Sequence, residues 1–221
     1  MLLNAKKYFL FCLLLSANLF LQAQPFADEI AAFKKADSIQ PPPKHAILFA
    51  GSSSFRLWKN LSDYFPGKTI INRGFGGSSI PDMIRYANDI IFPYQPRQIV
   101  IYCGENDLSA NDTIQASTTV EHFKTLFQLI RSKLPEVSVV YVSIKPSPVR
   151  RKYWHKMRQA NLAIKRYLRK QRNTAFADIY GTMLNDDGSA RTELYIKDQL
   201  HMNESGYKIW QKIISPYLKN E

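Results

Sequence analysis

Apolar and polar positions along the chain alternate between two patterns. Short apolar runs at residues 46–50, 69–72, 98–103, 137–144 and 174–178 have the length and β-branched or aromatic content of strands. Between them, apolar residues recur every three or four positions, which predicts helices over residues 80–91, 117–134, 153–171 and 203–218. In the second of these the apolar face is Val120, Phe123, Phe127 and Ile130, and Pro135 closes the helix. In the third it is Met157, Leu162, Ile164 and Leu168, with the basic residues mostly elsewhere on the wheel. Continuously apolar strands separated by helices predict an α/β fold, a parallel sheet covered by helices on both faces.

The start of the chain departs from this rhythm. Lys6 and Lys7 precede an apolar stretch over residues 8–21, followed by small Ala23 and polar Gln24. Residues 1–23 therefore read as a secretory signal cleaved near Ala23, which predicts an exported protein, periplasmic or extracellular. The run is short for a spanning helix, and Cys12 lies inside it after bulky Phe11, which does not suit a lipoprotein signal. Residues 24–45 form a lead-in, with an amphipathic stretch over 26–36 and then Pro41-Pro42-Pro43. Residues 46–221 then make up one domain, as suits a chain of 221 residues.

Composition changes this picture in two places. With the signal removed Cys103 is the only cysteine, so no internal disulfide is available and packing must supply the stability. Its position at the end of an apolar run is that of a small buried hydrophobe. The formal charge is +12, and residues 150–172 hold ten Lys or Arg and no Asp or Glu. A solvated helix face accounts for such a run; attraction to an anionic surface, lipid headgroups or acidic glycans, is the sharper alternative. No nucleic-acid-binding module is recognisable.

Candidate chemistry collects just past the predicted strands, where ligands bind in parallel α/β sheets. Gly51-Ser52-Ser53-Ser54 follows the first strand, Asn72 to Ser79 the second, Gly104-Glu105-Asn106-Asp107 the third and Pro146-Ser147-Pro148 the fourth. Asp198-Gln199-Leu200-His201 falls in the loop before the last helix. A tight turn after Gly51 would expose a serine hydroxyl, with Ser53 the candidate nucleophile, although chemistry alone does not choose among the three serines. The glycine-rich loop lacks the third glycine of a dinucleotide fingerprint and suits a backbone donor to an oxyanion better than a phosphate cradle. Asn106 offers a side-chain amide for the same purpose. Asp198, three residues before His201, can hold one ring nitrogen while the other faces the serine. The four histidines, His45, His122, His155 and His201, are scattered and form no metal-ligand pattern.

Taken together, these blocks resemble the SGNH hydrolase superfamily, which includes the GDSL esterases. The resemblance covers residues 46 to 217 and places the family's Ser, Gly, Asn and His blocks in order along the chain. It implies a three-layer α/β/α sandwich on a flavodoxin-like five-stranded parallel sheet, and no cofactor or metal. It makes Ser53 the nucleophile, Asp198 and His201 its triad partners, and Gly77 and Asn106 the oxyanion donors beside the Ser53 N–H. Ser52 stands where the family usually has Asp directly before the nucleophile. Gly-Ser-Ser-Ser followed by Phe55-Arg56-Leu57-Trp58 is similar to bacterial esterases like platelet-activating-factor acetylhydrolase subunits, which implies small acyl groups such as acetyl. The expected substrate is a small acyl ester, with O-acetylated carbohydrate favoured. A lysophospholipase or thioesterase for longer chains, and a non-catalytic glycan binder, are the alternatives.

Overall fold

Five parallel strands form where the apolar runs predict them: β1 (Ile47–Gly51), β2 (Ile70–Gly74), β3 (Gln98–Tyr102), β4 (Ser138–Val142) and β5 (Thr174–Ala177). The computed structural model describes residues 24–220, so the expected signal over residues 1–23 lies outside the described residues. The strand order is β2-β1-β3-β4-β5, and every pairing is parallel. That is the flavodoxin-like order, with its switch point between β1 and β3, where successive connections leave on opposite faces and open a crevice.

Helices cover both faces. α1 (Ala27–Ile39), α3 (Ile80–Arg85), α4 (Ala87–Ile90), α6 (Ala116–Lys133) and α7 (Trp154–Leu168) contribute to one core layer. α2 (Ser53–Arg56) and α8 (Glu204–Ile214) contribute to the other; α5 (Glu105–Ser109) follows β3 at the carboxyl edge. The period-two pleat divides β1 between the layers: Leu48 and Ala50 enter the first, Ile47 and Phe49 the second, all fully buried. The second layer is rich in aromatic rings. Trp58 stacks on Tyr207 with centroids 4.8 Å apart, and Trp210 packs against Phe55 and Tyr102 at 6.2 and 4.7 Å. This cluster ties the short α2 to the last helix. Cys103 is fully buried, and burial pushes its thiol pKa up, away from reactive thiolate.

Helix boundaries depart from the periodicity in places with local causes. The expected helix 80–91 breaks at Tyr86, whose ring meets Phe75 edge-on and whose hydroxyl donates to the Pro25 carbonyl at 2.6 Å. The expected helix 153–171 begins at Trp154, because Pro148 opens a 3₁₀ turn over Pro148–Tyr153. Leu162, assigned to its apolar face, is instead 49% exposed, whereas Met157, Ile164 and Leu168 are buried. The last helix is capped by Asn203, whose side chain accepts from the Gly206 N–H at 3.2 Å, and stops before Pro216. Among the described residues, no helix is long and apolar enough to cross a membrane.

The lead-in belongs to the same packed body. Phe26 meets Phe75 edge-on at 5.3 Å, Asp37 pairs with Arg73, and Lys34 lies 2.6 Å from Asp89. α1 thereby lies against the β2 side of the sheet, close to the glycine-rich loop.

Candidate active site

The turn after β1 is set by Gly51. Its φ is +153°, and a Cβ there would lie 2.0 Å from the Tyr102 carbonyl oxygen on the neighbouring strand. Only glycine lets β1 approach β3 this closely while the chain swings into α2. Gly51→Ala is expected to lose more than about 2 kcal/mol of stability, from overpacking and backbone strain together. A denaturant titration with an unchanged midpoint would contradict this.

The turn sorts the three serines. Ser52 is buried and its N–H donates to the Tyr102 carbonyl at 3.0 Å. Ser54 is also buried, and its hydroxyl accepts from the Lys145 ammonium at 3.2 Å. The Ser53 hydroxyl lies 2.9 Å from His201 Nε2, and His201 Nδ1 lies 2.6 Å from Asp198 Oδ2. The other Asp198 oxygen accepts the N–H groups of Leu200 and His201, each at 2.9 Å. Gln199 between them adopts the left-handed conformation at φ +54°, which folds the loop back on its own carboxylate. Partial burial would raise the Asp198 pKa, but the hydrogen bonds from His201 and Leu200 outweigh it and hold the carboxyl below its ordinary value. An ionised Asp198 fixes the imidazole tautomer with its proton on Nδ1 and leaves Nε2 to accept from Ser53.

Gly77 and Asn106 reach the same edge from β2 and β3. Gly77 has φ +70° with nothing within 4 Å of where a Cβ would stand, and its N–H and that of Ser53 take no hydrogen-bond partner among the described residues. The neighbouring Gly76 N–H is occupied. It donates to both carboxylate oxygens of Glu29 in α1 at 3.1 Å, while the same carboxylate pairs with Arg56 in α2 at 2.7 Å. Glu29 thus links the glycine loop to the helix that begins with Ser53. The Ser78 hydroxyl adds bonds to the Gly51 and Phe75 carbonyls at 3.3 and 3.2 Å. The Ser78 carbonyl accepts from Asn106 Nδ2 at 2.9 Å, so one amide hydrogen of Asn106 is used in orientation and the second is left over.

Beneath these turns lies a buried ionic network. Glu105, beside Asn106, is paired with Lys145 from the segment after β4, and both side chains are at most 3% exposed. Glu105 also accepts from the Tyr102 hydroxyl at 2.6 Å and from the Ser147 hydroxyl, and Arg150 lies 3.4 Å away. Burial would raise the Glu105 pKa, but Lys145 and Arg150 overcome this and keep the carboxyl below its ordinary value. Burial pulls the Lys145 pKa down, with Glu105 opposing. Through Ser54 and Glu105 the pair spans the two turns that present Ser53 and Asn106.

Several of these residues escape the sequence reading. Lys145 had a usable signal: a lysine directly after an apolar strand run, at the edge where the other blocks collect. Residues 150–172 are also less uniform than a solvated basic face. Lys156 is buried and donates to the Asp112 and Ile114 carbonyls at 2.6 Å, and Arg150 donates to Asn106 Oδ1 at 2.8 Å. Lys152, Lys165 and Arg166 remain at the surface, so the solvated-face reading holds for part of the run.

The arrangement contains a hydroxyl, an imidazole and an ionised carboxylate in hydrogen-bonded series, with free N–H donors beside them. Such a set can carry out acyl transfer through a serine. Among the described residues, no group of three or more His, Cys, Asp or Glu is placed to hold a metal ion.

Comparison with known proteins agrees with this geometry. The family model of the GDSL-like lipase/acylhydrolases matches residues 43–209. No curated protein sequence matches the chain. Among solved structures, a protein from Streptococcus pneumonia named for platelet activating factor superposes with a TM-score of 0.76 at 20% identity, over 95% of this chain and 99% of that one. A GDSL-like lipase from Bacteroides thetaiotaomicron gives 0.72 at 20% identity, over 85% and 95%. An acetylxylan esterase from Geobacillus stearothermophilus gives 0.66 at 11% identity, over 81% and 96%. The match across most of the chain, on a flavodoxin-like sheet with these side chains at its carboxyl edge, makes this protein a member of the GDSL-like lipase/acylhydrolase family and a hydrolase of ester bonds.

Proposed function

We propose that the protein is an exported serine esterase that removes short acyl groups, acetyl foremost, from an acylated carbohydrate. The observation that carries the catalytic part is the hydrogen-bonded series Ser53–His201–Asp198, with steps of 2.9 and 2.6 Å. In this reading His201 Nε2 takes the Ser53 proton as Oγ attacks the ester carbonyl. The tetrahedral oxyanion is received by the Ser53 and Gly77 N–H groups and the free Asn106 amide hydrogen. Collapse breaks the bond to the alcohol, which leaves with the proton from His201. Water, deprotonated by the same imidazole, then cleaves the acyl-serine to release the carboxylic acid and restore Ser53.

Support for the acyl and alcohol halves is coarser. The acetylxylan esterase among the structural relatives favours a small acyl group on a sugar hydroxyl. Export rests on the leader-like pattern of residues 1–23.

The test joins labelling with turnover. A fluorophosphonate probe should label the wild-type protein and fail to label Ser53→Ala, and kcat/KM should fall steadily from acetyl to octanoyl esters of one alcohol. Undiminished labelling of Ser53→Ala would move the nucleophile elsewhere. A preference for octanoyl would replace the acetyl reading with that of a long-chain acylhydrolase.

A further inference from the structure

Arg150 comes from the basic run, yet its guanidinium turns inward. It is held by two groups: Asn106 Oδ1 accepts from it at 2.8 Å, and the buried Glu105 carboxylate lies at 3.4 Å. Its side chain is 19% exposed. Asn106 is therefore gripped at both ends of its amide, the oxygen by Arg150 and the nitrogen by the Ser78 carbonyl at 2.9 Å. A primary amide can rotate by half a turn at little intrinsic cost, exchanging a donor for an acceptor. At an oxyanion hole that exchange would turn an attractive N–H into a repulsive oxygen. The guanidinium has no acceptor to offer, so it tolerates only the oxygen of Asn106. Its positive charge also draws electron density toward Oδ1 and makes the remaining N–H a stronger donor.

We infer that Arg150 is a positioning residue of the ester hydrolysis: it fixes the orientation of the Asn106 amide and strengthens its free N–H toward the developing oxyanion. This rests on the reading of Asn106 as an oxyanion donor. Glu105 holds the guanidinium in turn, so the carboxylate before Asn106 in sequence aims the arginine that aims Asn106. The 3₁₀ turn of Pro148–Tyr153, which follows β4, presents Arg150 to Asn106, and the Val149 N–H, bonded to the Gln199 carbonyl at 3.2 Å, anchors that turn to the His201 loop.

A double-mutant cycle on a chromogenic acetyl ester tests the idea, with kcat and KM measured separately. Arg150→Met should lower kcat by about tenfold, part of the 10²–10³ that loss of a whole oxyanion donor costs, and leave KM within about twofold. In an Asn106→Ala background the same change should cost nothing further, because no amide is left to orient. A loss that multiplies with Asn106→Ala would overturn the inference, as would a rise in KM with kcat unchanged. Full activity of Asn106→Ala alone would instead remove Asn106 from the oxyanion hole, which separates failure of the underlying reading from failure of this one. If Arg150→Met does not fold, because Glu105 loses a partner, Arg150→Lys keeps a charge beside Glu105 and runs the same cycle. A lysine at this site cannot bridge both acceptors with one planar fork, so its kcat should fall as well. Wild-type kcat in a folded Arg150→Lys protein would also overturn the inference.

Discussion

Replacing His201 with alanine is expected to lower kcat by about 10⁴–10⁶-fold, since in the proposed mechanism it leaves the serine hydroxyl without its base and breaks a set of three groups that act as a unit. Asp198→Asn should cost about 10⁴-fold with the protein still folded, because an amide can hold the imidazole in the wrong tautomer. Steady-state hydrolysis of an acetyl ester, beside a circular dichroism spectrum for each variant, measures both. A His201→Ala protein within tenfold of wild type would mean that another group takes the proton. The acid side of the pH profile follows from the same geometry. Asp198 is held below its ordinary carboxylate range, so it stays ionised where imidazoles titrate. On the Asp198 side, acid loss of activity should therefore come only below the ordinary carboxylate range, where that carboxyl takes up its proton.

The second large effect concerns stability. Lys145→Met should cost about 3–5 kcal/mol, because it leaves the Glu105 carboxylate buried with Lys145 no longer neutralising it. Arg150 remains a second counter-ion at 3.4 Å, and Tyr102 and Ser147 still donate to Glu105, but the ammonium paired most closely with the carboxylate is gone. Pairing the change with Glu105→Leu should recover much of the loss, since replacing both ends of a buried ion pair by apolar groups is often close to neutral. The linkage sign is that of a depressed carboxyl. The Glu105 contribution is present above the unfolded value and disappears as pH falls through the folded one, so the stability gap between wild type and Lys145→Met should narrow on acidification. Urea titrations at neutral and acid pH report both quantities. A Lys145→Met protein as stable as wild type would mean that Glu105 is neutral when buried.

The sheet was legible because its central strands β1, β3 and β4 are buried along their whole length and read as near-continuous apolar runs, and because the helices between them keep their spacing. All five strands lie within two residues of the runs that predict them, and the run 137–144 extends two residues past the ladder at Val142. Residues after Val142 still serve structure: the Ser143 hydroxyl accepts from the Ile179 N–H, and Ile144 is bonded through both backbone groups to Asn161. Ser53, Gly77 and Asn106 were legible in the sequence because each follows a strand in a turn, so that position along the chain stood in for position in space, whereas Asp198 and His201 were legible only by their spacing in the loop before the last helix. What supports them was not. Arg150 is one basic residue in a basic run, and nothing in its spacing distinguishes a buried ion from a solvated one; Lys145 had only its place directly after a strand run to mark it. Leu162 fails for the converse reason, since helical spacing marks a stripe on the wheel without marking how far the neighbouring layer reaches around it.

Glu29 bears on where the catalytic unit begins. The family match starts at residue 43, yet the carboxylate that ties the Gly76 N–H to Arg56 lies fourteen residues earlier, on a helix outside that span. A shortened protein cut at the family boundary would keep Ser53, Asp198 and His201 and still lose the clasp on the loop that carries Gly77. For recombination between relatives, the transferable cassette is therefore larger than the recognised module. The piece that travels intact must include the helix Ala27–Ile39, because part of the hydrolase's rigidity is borrowed from it.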